Sequence, residues 1–138
     1  MLISFDKYKE FSYRVLNKIN TNIPYKGILV PLKGGFFLSY FVSTKLKLPM
    51  YFVEISSYKE KEQRNIQVIS EWPKLEKGSY LLIDDIYDSG KTVEYIRNFY
   101  KDVIFDVAVL VSRQKREDII YGKLLKNEDW VDFWWEIL

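Results

Sequence analysis

Four short apolar runs constrain this chain more than any other feature. Residues 27–31 (G-I-L-V-P), 50–55, 79–83 and 105–111 are almost uncharged and rich in Val, Ile and Leu, and each is too short for a buried helix. Runs of that kind are expected of strands buried on both faces of a parallel sheet. The segments between them have helical spacing. In residues 5–20, Tyr8, Phe11, Val15, Leu16 and Ile19 fall on one face, and Ser4 stands where a cap is needed. Residues 36–46 read as a second helix ended by Pro49, and residues 92–100 as a third. Strands alternating with helices predict an α/β fold, a parallel β-sheet flanked by helices on both faces. With 138 residues, no repeat and no linker-like tract, one domain spanning 1–138 is expected.

Composition removes several chemistries. The chain has no Cys and no His. Disulfides, thiol catalysis, Ser-His triads and His-ligated metals are therefore excluded, and acid–base work falls to Asp, Glu, Lys or Tyr. The net charge of +2 gives no reason to expect nucleic acid as a partner. No stretch approaches the ~18 apolar residues of a membrane span. Residues 1–10 are mixed and charged, unlike a signal peptide, so a cytoplasmic protein without a membrane partner is expected.

The chemistry concentrates in Y-L-L-I-D-D-I-Y-D-S-G-K-T, residues 80–92. An apolar strand runs into the adjacent carboxylates Asp84 and Asp85, a third follows at Asp88, and Ser89-Gly90-Lys91-Thr92 opens a helix. In an open α/β sheet, ligands bind at such strand ends. Backbone amides at a helix N-terminus, two hydroxyls and a Lys make a cup for one phosphate. The acids at its rim can accept from a vicinal diol or hold Mg2+. Cup and diol acceptor together describe a ribose 5-phosphate. Gly90-Lys91-Thr92 also mimics the end of a nucleoside-triphosphate loop, but that motif needs Gly where Asp85 stands. A strand end followed by a helix cap explains one acid or hydroxyl. It leaves three carboxylates followed by Gly-Lys-Thr unexplained.

Two further segments carry less specific signals. Residues 56–70 are polar and dense in charge, a solvated loop or hairpin of the length often used as a lid. At the tail, Trp130, Phe133, Trp134 and Trp135 are expected to pack together.

With residues 80–92 in view, the chain resembles the type I phosphoribosyltransferases, and within them the xanthine-guanine and hypoxanthine group. L-I-D-D-I-Y-D-S-G-K-T looks like the phosphoribosyl pyrophosphate signature of that family. Pro31-Leu32-Lys33-Gly34-Gly35 is similar to its pyrophosphate-binding turn. Ser56-Ser57-Tyr58 with Gln63-Arg64 resembles its flexible loop, here about residues 57–68, and W-V-D-F-W-W-E from Trp130 resembles its purine-site tail, here about residues 112–138. The resemblance implies a small hood built from the N- and C-terminal segments, Mg2+ as cofactor, and a homodimer or higher homo-oligomer. It implies that Asp84 and Asp85 hold the ribose hydroxyls directly or through the metal, with Glu136 in the metal shell. Asp88 would be the general base or proton relay at the purine. Ser89, Gly90, Lys91 and Thr92 would cradle the 5-phosphate. Lys33, Gly34 and Arg64 would hold pyrophosphate. Trp130 would stack on the base, with the Val131 carbonyl facing its 2-position.

Some positions depart from that pattern. Lys33 stands where Arg is frequent, which replaces a fork with a point charge. Arg113 stands for the Lys that reads the purine 6-oxygen, and Trp134 for a Pro. The activity implied is transfer of ribose 5-phosphate from phosphoribosyl pyrophosphate to a 6-oxopurine. The alternatives are a non-catalytic regulator that senses phosphoribosyl pyrophosphate, and a transferase for another base such as orotate. The chain has no basic stripe for the first, and its tail resembles the purine type.

Overall fold

The apolar runs are strands whose side chains alternate between two cores. The structure, a computed structural model, describes residues 1–60, 63–68, 71–126 and 130–138, and of residues 56–68 only the backbone. The elements are β1 (Leu2–Ile3), α1 (Phe5–Lys18), β2 (Ile28–Leu32), α2 (Phe36–Leu46), β3 (Met50–Glu60), β4 (Gln63–Val68), β5 (Gly78–Tyr87), α3 (Lys91–Phe99), β6 (Val103–Ser112), β7 (Ile119–Leu124), β8 (Asp132–Phe133) and a closing 3-10 turn (Trp134–Ile137). In β2, Ile28 and Val30 join the core under α1 and α2, while Leu29 joins the core under α3. In β5, Leu81 and Ile83 face the first core, and Tyr80 and Leu82 the second. That period of two, apolar on both sides, is what makes the runs continuous in sequence. Fully burying each Leu, Ile or Val contributes roughly 1.5–3 kcal/mol, so both faces must be covered.

The main sheet has the order β4-β3-β2-β5-β6-β7. Every pair is parallel except the β3–β4 hairpin. From β2 the chain moves outward through α2 to β3, and from β5 it moves the other way through α3 to β6. The direction of winding therefore reverses between β2 and β5, and a crevice opens beyond their C-terminal ends. A second sheet pairs β1 with β8, Leu2 beside Asp132 and Ile3 beside Phe133, and forms the expected hood. Among the described residues, no helix is long and apolar enough to cross a membrane.

Ser4 caps α1 as expected, its hydroxyl accepting from the Lys7 amide at 3.2 Å. Four expectations change or narrow. First, β5 runs to Tyr87, four residues beyond its apolar run, because β6 continues to pair with it through Tyr87 and Ser112. Second, of the loop and the hairpin read for residues 56–70, the backbone forms the hairpin, with residues 57–60 and 63–66 paired antiparallel, so this segment extends the sheet. Third, β7 was not foreseen. It lies parallel to β6 after a connection of residues 113–118 that contains no helix, and Gly122 interrupts its apolar pattern. That glycine is required, since a Cβ there would lie 2.6 Å from the Phe11 carbonyl of α1. Fourth, the tail aromatics divide. Phe133 stacks on Trp135 at 4.6 Å and Tyr8 meets Trp135 edge-on at 5.3 Å, whereas Trp130 is 72% exposed.

Candidate active site

The reversal of winding brings the turn after β2 against the acidic end of β5. A Cβ on Gly34 would lie 2.7 Å from the Asp85 carboxyl carbon, so only glycine lets the turn seat against that carboxylate. The Leu32–Lys33 peptide of this turn is cis, and Lys33 is exposed. Asp84 folds back so that its Oδ1 accepts from the Asp85 amide at 2.8 Å. Both acids are half-buried, not on an open rim as the strand-end reading implied. Burial, and then the neighbouring Asp85 charge, hold the Asp84 carboxyl well above the usual carboxylate range. Burial raises Asp85 as well, and the charge of Glu136 adds to it.

Beyond the acids the chain turns into α3. Gly90 caps the helix at φ 85, a left-handed conformation that favours glycine, and a Cβ there would also strike the Tyr87 hydroxyl. Within the turn, the Lys91 amide lies 3.4 Å from Ser89 Oγ. The first amides of a nine-residue helix are thereby left facing the crevice, an arrangement that suits an anion.

Asp88 meets the segment that leaves β6. Arg113 Nε lies 3.7 Å from Asp88 Oδ1, the Arg113 amide donates to the Tyr87 carbonyl at 2.9 Å, and Gln114 Nε2 donates to the Asp88 carbonyl at 2.7 Å. From the far side comes the tail. Trp130 Nε1 donates to Asp132 Oδ1 at 2.8 Å, and the Met1 ammonium donates to the Trp130 carbonyl at 2.5 Å, so the hood holds the tail beside the crevice. Glu136 accepts from the Phe133 amide at 3.0 Å.

One cleft of about 370 Å3 results, lined by every residue from Asp84 to Val93 together with Val109, Arg113, Trp130, Val131, Phe133 and Glu136. Among the expected site residues, Asp84, Asp85, Asp88, Ser89, Gly90, Lys91, Thr92, Arg113, Trp130, Val131 and Glu136 all line it. Gly34 adjoins it through Asp85, while Lys33 sits on the exposed turn outside the lining. The side chain of Arg64 lies outside the described residues. Among the described residues, no group of three or more acids forms a ready-made metal centre, so Asp84, Asp85 and Glu136 share a wall without converging.

Two contributors were not anticipated. Tyr87 lies buried under the loop, hidden from the sequence reading by ending β5 at Ile83. Gln114 reaches Asp88 across 26 positions, and no local pattern signals such a contact.

Comparisons with known proteins place the chain's fold and family. A xanthine-guanine phosphoribosyltransferase of Nitratidesulfovibrio vulgaris (strain DP4) is 26% identical over 133 residues, covering 93% of this chain and 77% of that protein. A purine phosphoribosyltransferase from Pyrococcus horikoshii superposes with a TM-score of 0.82 at 19% identity, covering 99% of this chain and 93% of the other. The xanthine-guanine-hypoxanthine enzyme of Helicobacter pylori gives 0.76 at 22%, with the same coverages. These structures share the fold. The family model described as a phosphoribosyl transferase domain matches residues 2–137, from the hood strand through the acidic loop to the tail. The chain therefore belongs to the phosphoribosyltransferase family, enzymes of the glycosyltransferase class.

Proposed function

We propose that this chain transfers ribose 5-phosphate from phosphoribosyl pyrophosphate to N9 of a 6-oxopurine and releases pyrophosphate. The observation that carries this reading is the single cleft joining the acid pair, the phosphate loop, Arg113 and the Trp130–Val131 tail. Each group has a task in it. The amides and hydroxyls of Ser89 to Thr92 bind the 5-phosphate. Asp84 and Asp85 accept from the ribose hydroxyls. Lys33, Gly34 and Arg64 face the leaving pyrophosphate. Trp130 covers the base, the Val131 carbonyl faces its 2-position, and Arg113, which has only donors, faces its 6-oxygen. Asp88 takes or relays the base proton.

Mg2+ fits this donor set. It binds through one or two carboxylates completed by substrate oxygens and water, so no three-acid centre is needed. Two adjacent half-buried carboxyls, both raised by burial and one of them also by its neighbour's charge, are a place where a cation relieves the cost of ionisation. Asp84 and Asp85, with Glu136 nearby, would hold the ion, and its chemistry would be to neutralise charge on the departing pyrophosphate. The chain's own contribution is alignment of sugar and base, worth several kcal/mol of barrier in well-oriented systems. A single domain at residues 1–138, a homodimer or higher homo-oligomer and a cytoplasmic location complete the reading. Large aromatics exposed on one side, Phe36, Phe37 and Tyr40 of α2 and Phe52 of β3, favour self-association.

The test is pyrophosphate release with Mg2+, phosphoribosyl pyrophosphate and one nucleobase at a time. Release with hypoxanthine, guanine or xanthine is expected. Release with adenine or orotate alone refutes the 6-oxopurine assignment.

A further inference from the structure

Ser112, at the end of β6, is fully buried, and its hydroxyl both accepts from the Gln114 amide at 3.1 Å and donates to the Gln114 carbonyl at 2.7 Å. That pair of bonds pins the backbone of Gln114 where the chain leaves the sheet. The Gln114 side chain then crosses to β5 and donates to the Asp88 carbonyl at 2.7 Å. Its neighbour Arg113 contacts Asp88 too, by its guanidinium to the carboxylate, and its amide donates to the Tyr87 carbonyl just before it. Before the helix begins at Gly90, whose carbonyl accepts from the Glu94 amide at 3.0 Å, the loop's own side-chain contact is a long one. Its internal contact from the Lys91 amide to Ser89 Oγ is 3.4 Å, beyond the ~3.2 Å usual for such bonds. Gly90, at φ 85, offers no side chain to lock the turn.

We propose that Gln114 is a positioning residue: by holding the Asp88 carbonyl it sets the direction of the Asp88 carboxylate and the pose of the loop from Asp88 to Thr92. The segment that faces the base thereby shapes the loop that binds the sugar phosphate. This rests on the transferase reading above. The role needs a donor of this length. Leu at 114 keeps most of the shape and cannot donate, and an ionised Glu presents an acceptor to a carbonyl. A protonated Glu regains an O–H donor.

The experiment measures kcat, KM for phosphoribosyl pyrophosphate and thermal midpoint for wild type, Gln114→Leu and Gln114→Glu between pH 5.5 and 8. Both variants are expected to melt close to wild type. At pH 8 both should show raised KM and lowered kcat, with kcat/KM down about tenfold or more. As pH falls, the ratio of Gln114→Glu to wild type should climb while that of Gln114→Leu stays flat. Kinetic constants within twofold of wild type in Gln114→Leu overturn the proposal, as does a lowered midpoint with unchanged kinetics. If Gln114→Leu does not fold, the pH response of Gln114→Glu decides, and a flat ratio overturns the proposal. A wild-type protein that neither binds phosphoribosyl pyrophosphate nor releases pyrophosphate refutes the transferase reading, an outcome visible before any variant is compared.

Discussion

Replacing Gly34 by Ala isolates the contact between the turn after β2 and the acid pair. Gly34 is not among the glycines with positive φ, so alanine meets no backbone penalty there. The three nearest obstacles are all atoms of the Asp85 carboxylate, and the closest, Oδ2, would lie about 1.0 Å inside the 3.4 Å of an ordinary contact. The turn and the carboxylate must between them give by about 1.0 Å. A misplacement of ~1 Å in an active site can cost ~10²-fold, so kcat/KM should fall by roughly 10–30-fold. The stability cost should stay below the ~1–3 kcal/mol of rigid overpacking, because a carboxylate at a cleft wall can rotate away. Gly78→Ala is the matched control. It sits at the opposite end of β5, at φ 149, and its nearest obstacle is the flexible Lys26 side chain. It should lower the thermal midpoint through ~1–3 kcal/mol of backbone strain and leave kcat/KM unchanged. The assay is steady-state pyrophosphate release beside a thermal melt of each variant. If Gly34→Ala folds and keeps kcat/KM within twofold of wild type, the seating of the turn on Asp85 has no part in catalysis and the reasoning fails.

Asp84→Asn with Asp85→Asn should abolish most transfer yet melt above wild type at pH 8, with the advantage shrinking as pH falls. The sign follows from both folded pKa values being raised. The stability these carboxyls allow is complete below their unfolded pKa and is lost as pH rises through the folded one. Melts across pH 4–8 check this, and a double variant less stable than wild type at pH 8 contradicts it. Asp88→Asn should lower kcat by ~10²-fold with little change in phosphoribosyl pyrophosphate affinity, read by kinetics beside calorimetry; an unchanged kcat with a lowered melt would leave Asp88 only a structural role through its contact with Arg113. Arg113→Ala should erase preference for 6-oxopurines over adenine, measured as kcat/KM for the four purines, because donor no longer faces donor at the 6-position. An unaltered ranking would remove Arg113 from base recognition.

The strand, loop and helix of residues 80–92, proposed above as the sugar-phosphate end, were legible because their signals are local. The acids Asp84, Asp85 and Asp88 and the loop Ser89 to Thr92 lie within nine consecutive residues, and a strand running into a helix dictates which way they point. The tail residues Trp130 and Val131 were legible only through resemblance, since nothing in their spacing says what they face. Where the reading erred, distant chain was responsible. β5 outlasts its apolar run because β6 supplies partners as far as Ser112. β7 exists despite Gly122 because α1 packs so closely that no larger residue fits. Trp130 left the tail cluster, and its carbonyl accepts from the Met1 ammonium at the other end of the chain.

Sequence alone determined the alternation of buried strands and helices, the absence of thiol and imidazole chemistry, and the turn by which residues 84–92 pass from strand to helix. Each depends on periodicity or on residue type within about one element, where backbone geometry leaves few choices. Tertiary structure decided what those parts become together. The reversal of winding between β2 and β5 set Gly34 against Asp85, burial and neighbouring carboxylates raised the acids' proton affinity, and Gln114 came to donate to the Asp88 carbonyl across 26 positions. Electrostatics and hydrogen bonding act through space, so their partners are known only once the chain has closed on itself.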